Sequence, residues 1–170
     1  AGTFYLSPSM TMEELMQSLQ NAKAQTVRFT IPEGYTVLQT AESLEKQGIC
    51  TAQDFLSGLE ACDADYWFLQ ELGEGLENPQ GTVSAAANRY EGFLFPDTYE
   101  IRKGASAEDV LAVMFRRFDQ IFTEEMQAQM NDRALTVKEV VTMASLIERE
   151  CRVDEERPRI ASVIYNRLAK

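Results

Sequence analysis

The sequence predicts an α+β fold in which a strand, two helices and a second strand precede an all-helical region. Two patterns predict it: residues 27–31 alternate as a strand does, and from Ser106 onward hydrophobic residues recur with a period of 3.6. In addition, 45% of the 170 residues are hydrophobic, which is enough for a packed core. We divide the chain into residues 1–26, 27–103 and 104–170.

The first strand, VRFTI at 27–31, is predicted to end in a turn at Pro32-Glu33-Gly34. Apolar residues at helical spacing then predict a helix from Val37 that stops at Gln47-Gly48, where glycine suits a left-handed cap. Thr51 is predicted to open a second short helix.

Residues 73–88 are rich in Gly, Asn, Pro, Ser and Ala without a sustained period, which predicts a long exposed loop. The next segment, EGFLFPDTYEI at 91–101, carries aromatic and apolar residues around Pro96-Asp97. It is predicted to be extended, to turn at that pair and to supply the last strand.

Three helices are predicted after Ser106. The first has one apolar stripe, formed by Val110, Leu111, Met114, Phe115, Phe118 and Ile121. The second runs from about Thr136 to about Glu150. The third begins near Glu155 with Pro158 in its first turn, and its core stripe is Ile160, Val163, Ile164 and Leu168.

An internal repeat is visible when residues 4–19 are laid over residues 99–114. Both copies are predicted to form a strand, a short turn and a helix, which Thr11 caps in the first copy and Ser106 in the second. The match indicates either repeated subdomains or similar local chemistry.

Composition excludes several classes of function. The formal charge of −11, with no basic cluster, excludes nucleic acid as a partner. Histidine is absent, which removes Ser-His-Asp and Cys-His nucleophilic schemes and the commonest zinc sites. Cys50, Cys62 and Cys151 are an odd number without a CxxC pair, which indicates ordinary thiols rather than disulfides or metal ligands. Acid–base chemistry therefore falls to carboxylates.

The ends of the chain suggest an excised fragment, since it begins at Ala1 and stops at Lys170 without a stop signal. No apolar run approaches the roughly 18 residues of a spanning helix. Membrane anchors or targeting segments could lie outside this sequence.

Glu148 is the acid of most interest. The helix 136–150 is apolar nearly all round, so we expect it to be buried. Glu148 aligns with Val141 and shares a face with Ser145, whereas Glu150 points about 200° away. Desolvation would suit Glu148 to act as a general acid. The alternative is a surface ion pair with Arg152, four residues on.

Other candidates are polar or aromatic residues with two interpretations. Arg159, Ser162 and Asn166 form a stripe that either lines a cleft or faces water. Glu91, Asp97 and Tyr99 either bind a sugar, which aromatic faces and carboxylates suit, or serve as core and turn residues.

Three stretches in this order resemble the YceG-like family: EGFLFPDTYEI at 91–101, ASLIERE at 144–150 and RPRIASVIYNRL at 157–168. The stretch that begins at Val27 resembles the LysM-like module of that family. The resemblance implies the tail of an earlier such module at 1–26, a LysM-like βααβ module at 27–103, and the first, helical part of a truncated catalytic domain at 104–170.

The activity that the resemblance implies is internal cleavage of peptidoglycan glycan strands between MurNAc and GlcNAc. The family's essential glutamate falls on Glu148, which would protonate the glycosidic oxygen and then accept the proton of the MurNAc C6 hydroxyl, leaving a 1,6-anhydro end. Cleft or scaffold positions would be Ser145, Glu91, Asp97, Tyr99, Asn166 and Arg167.

The resemblance also implies an extracytoplasmic enzyme that is anchored by an N-terminal membrane helix absent here, with cell-wall synthases as possible partners. No cofactor is implied, and no lysine-based pyridoxal-phosphate site is indicated. Because the family continues past the NRL motif, we expect this fragment to be inactive alone. The alternatives are a non-catalytic wall-binding or scaffold module and a cytoplasmic helical adaptor.

Overall fold

The computed structural model of the protein describes residues 11–13, 16, 26–73, 75, 81–151 and 153–168. The first copy of the repeat, residues 4–19, lies almost wholly outside the described residues, so the repeat and the division at residue 26 stay predictions. The architecture is α+β and rich in helix, as predicted, with one two-stranded sheet among the described residues.

The sheet pairs β1, Thr26–Thr30, with β2, Thr98–Arg102, in antiparallel register. Phe29 lies opposite Tyr99, and their rings stack with centroids 5.1 Å apart on the buried face. Arg28 lies opposite Glu100 on the exposed face, where their charged groups are 3.5 Å apart. The alternation predicted for residues 27–31 therefore has a buried face and an exposed face.

Two helices follow β1 along the chain. They are α1, Val37–Lys46, and α2, Ala52–Glu60. Thr36 forms a capping box with Gln39, and Thr51 accepts a hydrogen bond from the Asp54 amide. Gly48 follows α1 with φ +68°, which confirms the predicted glycine cap.

The prediction of an exposed loop over 73–88 is wrong for its last part. A 3₁₀ turn at Trp67–Leu69 precedes it, and the one-turn helix α3, Ala85–Asn88, is capped by Ser84. Ala87 is fully buried, and the backbone of Gly75 passes so close to α3 that a Cβ there would collide with the Ala85 carbonyl oxygen. A single turn of small residues is too short to show helical periodicity in the sequence.

The helical region begins with α4, Ala107–Ile121, whose predicted stripe is buried except for Ile121, which is 37% exposed at the helix end. The predicted cap is confirmed, since Ser106 and Asp109 form a capping box. The helix α5, Glu124–Asp132, follows, and α6, Val137–Glu150, begins with a capping box of Thr136 and Glu139. After a 3₁₀ turn at Asp154–Glu156, α7 covers Arg157–Leu168.

Helix α6 is not buried all round as expected. Val137 and Met143 are buried, whereas Ser145 and Leu146 are exposed. The apolar composition of α6 predicts that other elements pack against all of its sides. In the structure, the described elements pack against only part of this helix. On α7, Ile160 and Ile164 are half-buried as predicted, Val163 is 47% exposed, and the side chain of Leu168 lies outside the description.

One hydrophobic cluster extends from β1 through α4 to Val137. Phe68 is central to it, with ring centroids 4.5 Å from Phe118 and 6.1 Å from Phe115. Among the described residues, no helix has the length and apolar character needed to cross a bilayer.

Candidate functional site

Glu148 lies in the last turn of α6 and is half-exposed, with 54% of its side chain accessible. Its Oε2 is 3.0 Å from Nη2 of Arg157, the first residue of α7. The described part of the chain therefore leaves Glu148 open to solvent, contrary to the expectation that a buried helix would desolvate it. Arg152, the predicted ion-pair partner, lies outside the described residues.

The face of α6 that carries Glu148 is covered at one end and open at the other. Val137, Val141, Ala144 and Glu148 lie on this face because a helix advances 100° per residue. Val137 is buried and Val141 half-buried, whereas Ala144 and Glu148 are exposed. The body of the protein thus covers the first half of this face and ends before the second.

Gly92, in the EGFLFPDTYEI segment, lies where the body of the protein contacts this face of α6. A Cβ on Gly92 would lie 2.7 Å from Cγ1 of Val141, so only glycine allows the segment this close. Seven residues separate Val141 from Glu148, which is about 10 Å along the helix axis. The space between residues 91–93 and the exposed last two turns of α6 is open to solvent. We call this space the corner.

Glu91 lies beside Gly92 at the corner, with its carboxylate turned toward α1. Its Oε2 accepts a hydrogen bond of 2.9 Å from the Val37 amide at the start of that helix. The residue as a whole is exposed, but its carboxylate end is partly enclosed, and this desolvation raises the pKa of Glu91. The bond from Val37 opposes the rise in the pKa. Glu91 therefore holds the segment against α1.

The side chains of Asp97 and Tyr99 contact neighbouring residues of the fold and do not line the corner. The Thr98 amide donates to Asp97 Oδ1 at 2.7 Å, and Arg117 Nε of α4 lies 2.6 Å from Oδ2. Tyr99 is 7% exposed, and its hydroxyl donates to the Phe95 carbonyl. Burial raises the pKa of Tyr99 above its ordinary range. Both residues are thus occupied by contacts that hold the segment in place.

Ser145 is exposed three residues before Glu148, and its hydroxyl donates to the Thr142 carbonyl at 2.8 Å. Asn166 and Arg167 are exposed near the end of α7. Arg157 at the start of α7 reaches Glu148, while Tyr165 near its end lines a groove with Glu139 at the start of α6. The two helices are therefore antiparallel, and Asn166 and Arg167 lie at the far end from Glu148.

That groove has a volume of about 1010 Å³. Its walls come from residues of the α5–α6 connection, the first turn of α6 and α7: Arg133, Leu135, Glu139, Pro158, Ala161, Ser162 and Tyr165. Glu139 is nine residues from Glu148, or half a rotation around the helix, so the groove opens on another side of α6.

Sequence reasoning missed two residues that shape the site. Gly92 stands within a recognised motif, but its partner Val141 is 49 positions away, so nothing local indicates their contact. Arg157 likewise opens the recognised stretch 157–168, but no local pattern indicates its contact with Glu148, because their nine-residue separation spans the end of one helix and the start of another. A prediction of the α6–α7 hairpin with its turn length could have suggested this pair.

Comparisons of sequence and of structure with known proteins agree on one family. The profile described as the YceG-like family matches residues 1–170. An endolytic murein transglycosylase of Streptococcus pneumoniae serotype 2 is 33% identical over 183 residues, covering 99% of this chain and 32% of that protein. The Bacillus subtilis protein of the same name is 29% identical over 177 residues, covering 100% of this chain and 47% of that protein.

A crystal structure of a YceG-like protein from Listeria monocytogenes is similar to the whole fold. It superposes with a TM-score of 0.65 at 27% identity, covering 98% of this chain and 55% of that one. The chain thus spans about a third to a half of the length of the curated relatives.

Proposed function

The chain belongs to the YceG-like family, and from this premise we propose that the protein is an endolytic peptidoglycan lytic transglycosylase that cleaves MurNAc–GlcNAc bonds. The names of the relatives from Streptococcus pneumoniae and Bacillus subtilis support murein as the substrate. The observation that carries the proposal is the exposed carboxylate of Glu148, which lies on the face of α6 that Gly92 contacts about two turns earlier, at Val141. A polymer cut internally needs an open site, because a strand must enter sideways.

In this mechanism Glu148 acts twice. It first donates its proton to the glycosidic oxygen while the bond from that oxygen to MurNAc C1 breaks, and the GlcNAc hydroxyl leaves. The C6 hydroxyl of the same MurNAc then attacks C1 and returns a proton to the Glu148 carboxylate. The products are a free GlcNAc end and a 1,6-anhydroMurNAc end, and no water is consumed. One carboxyl group is sufficient, unlike hydrolases that place two across the bond.

The other candidates have different parts in this proposal. Ser145, exposed three residues before Glu148, would contact a sugar next to the broken bond. Glu91 would support the segment beside the corner, because its carboxylate accepts from the Val37 amide. Asn166 and Arg167 would contact only a glycan that follows the α6–α7 hairpin to its far end. Asp97 and Tyr99 would support the same segment as Glu91.

The setting of the whole protein is proposed from the family as well. We place it on the extracytoplasmic face of the bacterial membrane, anchored by an N-terminal helix of the full-length protein, with cell-wall synthases as partners. The pairing of β1 with β2 around α1 and α2 supports a LysM-like module that would hold glycan near the site, although a 3₁₀ turn and α3 also lie between α2 and β2.

The test is Glu148→Gln in the full-length protein, with Glu150→Gln as the matched control. Glu150 ends the same helix, is exposed and points about 200° away. Removal of the general acid should lower the rate of anhydro-muropeptide release from purified murein by about 10²- to 10⁴-fold. The control should stay near the unaltered rate, and both variants should still bind murein in a pull-down.

Unchanged release by Glu148→Gln would contradict the enzymatic role of Glu148. If neither the unaltered protein nor its variants release anhydro-muropeptides while murein binding persists, the non-catalytic wall-binding alternative holds. Absence of both cleavage and binding would favour the helical adaptor. The 170-residue chain by itself should release no anhydro-muropeptides in the same assay.

A further inference from the structure

Arg157 is shared between two carboxylates. Its Nη2 lies 3.0 Å from Glu148 Oε2 and 3.2 Å from Asp154 Oδ1. Glu148 belongs to the end of α6, whereas Asp154 begins the 3₁₀ turn that leads into α7. One nitrogen therefore connects the candidate general acid with a second acid across the turn between the helices.

The position of Arg157 is unfavourable for the helix that it begins. The positive end of a helix dipole repels a cation in the first turn and attracts acids, which here precede it at Asp154, Glu155 and Glu156. Helix stability does not account for arginine at this position. Its contact with Glu148 on the neighbouring helix does, because that is where the side chain reaches.

Both ion pairs are exposed enough to exchange. The side chains of Arg157, Glu148 and Asp154 are 49%, 54% and 86% accessible. Ion pairs with this exposure contribute little to stability and are easily broken. The arrangement is therefore poorly suited to hold the hairpin together, but it allows a guanidinium to pass from one carboxylate to the other.

We propose, on the basis of the function proposed above, that Arg157 is a positioning residue for Glu148 and that Asp154 retains it during the reaction. When Glu148 is ionised, Arg157 orients its carboxylate toward the corner. When Glu148 holds the proton that it donates to the glycosidic oxygen, its attraction for Arg157 falls and Asp154 keeps the guanidinium beside it. Arg157 returns as Glu148 becomes a carboxylate, before the C6 hydroxyl transfers its proton.

The test compares Arg157→Gln, Arg157→Lys and Asp154→Asn in the full-length protein, with Arg116→Gln as the control. Arg116 is an exposed arginine of α4, outside the candidate site. We expect Arg157→Gln to lower kcat for murein cleavage by about 10- to 100-fold, because a misplaced catalytic group loses this much, with KM within about twofold. Arg157→Lys should recover part of kcat, Asp154→Asn should lose less than Arg157→Gln, and Arg116→Gln should lose nothing.

A combined variant shows whether Arg157 acts through Glu148. Added to Glu148→Gln, the change Arg157→Gln should cause no further loss of the residual rate, because residues that act as a unit are not additive. A further loss of about tenfold would overturn the proposal, as would a raised KM with unchanged kcat, which would make Arg157 a substrate-binding residue. Thermal unfolding midpoints equal to that of the unaltered protein show that the variants are folded.

The two proposals fail in different ways. Full activity of Glu148→Gln refutes Glu148 as the general acid, whatever Arg157 does. Loss of activity in Glu148→Gln together with full activity in Arg157→Gln refutes only the positioning role.

Discussion

Asp97 ties the start of β2 to α4. Its carboxylate accepts from the Thr98 amide and lies against Arg117. The pKa of Asp97 is lowered mainly by the hydrogen bond from the Thr98 amide and next by the hydrogen bond from Arg117. A carboxyl group whose pKa is lower in the folded state stabilises the fold above its unfolded pKa of about 3.9, and this contribution is lost as pH falls through the folded pKa.

We therefore expect Asp97→Asn to lower the free energy of unfolding by about 1 kcal/mol at pH 7, a modest value because the ion pair is about a third exposed. The difference from the unaltered chain should shrink as pH falls below about 4, because the unfolded chain binds the proton there while the native carboxylate is protonated only at lower pH. Urea unfolding at pH 7 and pH 3 measures both values. An equal difference at the two pH values would contradict this explanation, and in an Arg117→Gln background the loss at pH 7 should be smaller.

Gly92 controls the contact between the EGFLFPDTYEI segment and α6. Its φ of +86° is one that side-chain-bearing residues rarely adopt, and Val141 leaves no room for a Cβ. Gly104 has a similar φ of +77°, but no described atom lies within 4 Å of the place where its Cβ would stand. A comparison of the two positions therefore separates the backbone cost from the packing cost.

Gly104→Ala should lower the free energy of unfolding by about 1–2 kcal/mol, the cost of the left-handed backbone alone. Gly92→Ala should cost about 1–3 kcal/mol more, because the added methyl group displaces Val141. Val141→Ala in the Gly92→Ala background should reduce that excess. Equal costs for the two glycine variants, measured by urea unfolding, would show that the segment does not press on α6.

The described residues share one core rather than two. The cluster joins β1, α1, α2 and α4, with Phe68 fully buried between aromatic rings from both sides of the predicted boundary at 103/104. That boundary stays a prediction, because two segments can share a hydrophobic cluster and still unfold separately. Unfolding experiments show whether residues 27–103 and 104–170 unfold together.

Phe68→Ala should lower the free energy of unfolding by about 3–5 kcal/mol, the cost of a large cavity in a packed core. Tyr35→Ala, at a side chain that is 41% exposed, should change it by less than about 0.5 kcal/mol. Circular dichroism during thermal unfolding should show a single transition, and Phe68→Ala should lower its midpoint. Two transitions, of which Phe68→Ala lowers only one, would show that residues 27–103 and 104–170 unfold separately.

The sequence by itself determined most of the helices and where they begin, because a cap and an apolar stripe are encoded within a few neighbouring residues. The one-turn α3 and the short α5 were not predicted. Ser106 accepts from the amide three residues on, as predicted, and Thr51 and Thr136, where two further helices were predicted to begin, form the same bond. Helical angle likewise separates Glu148 from Glu150 without any structure.

Only the tertiary structure decided what covers those elements. The open half of the Glu148 face, the approach of Gly92 to Val141 and the shared guanidinium of Arg157 all depend on residues from different elements. Apolar periodicity states which residues tend to be buried but not which neighbour buries them, so it predicted a covered α6 where the last turns are exposed. Contacts between distant segments are set by the packing of the whole core, and no short stretch of sequence contains them.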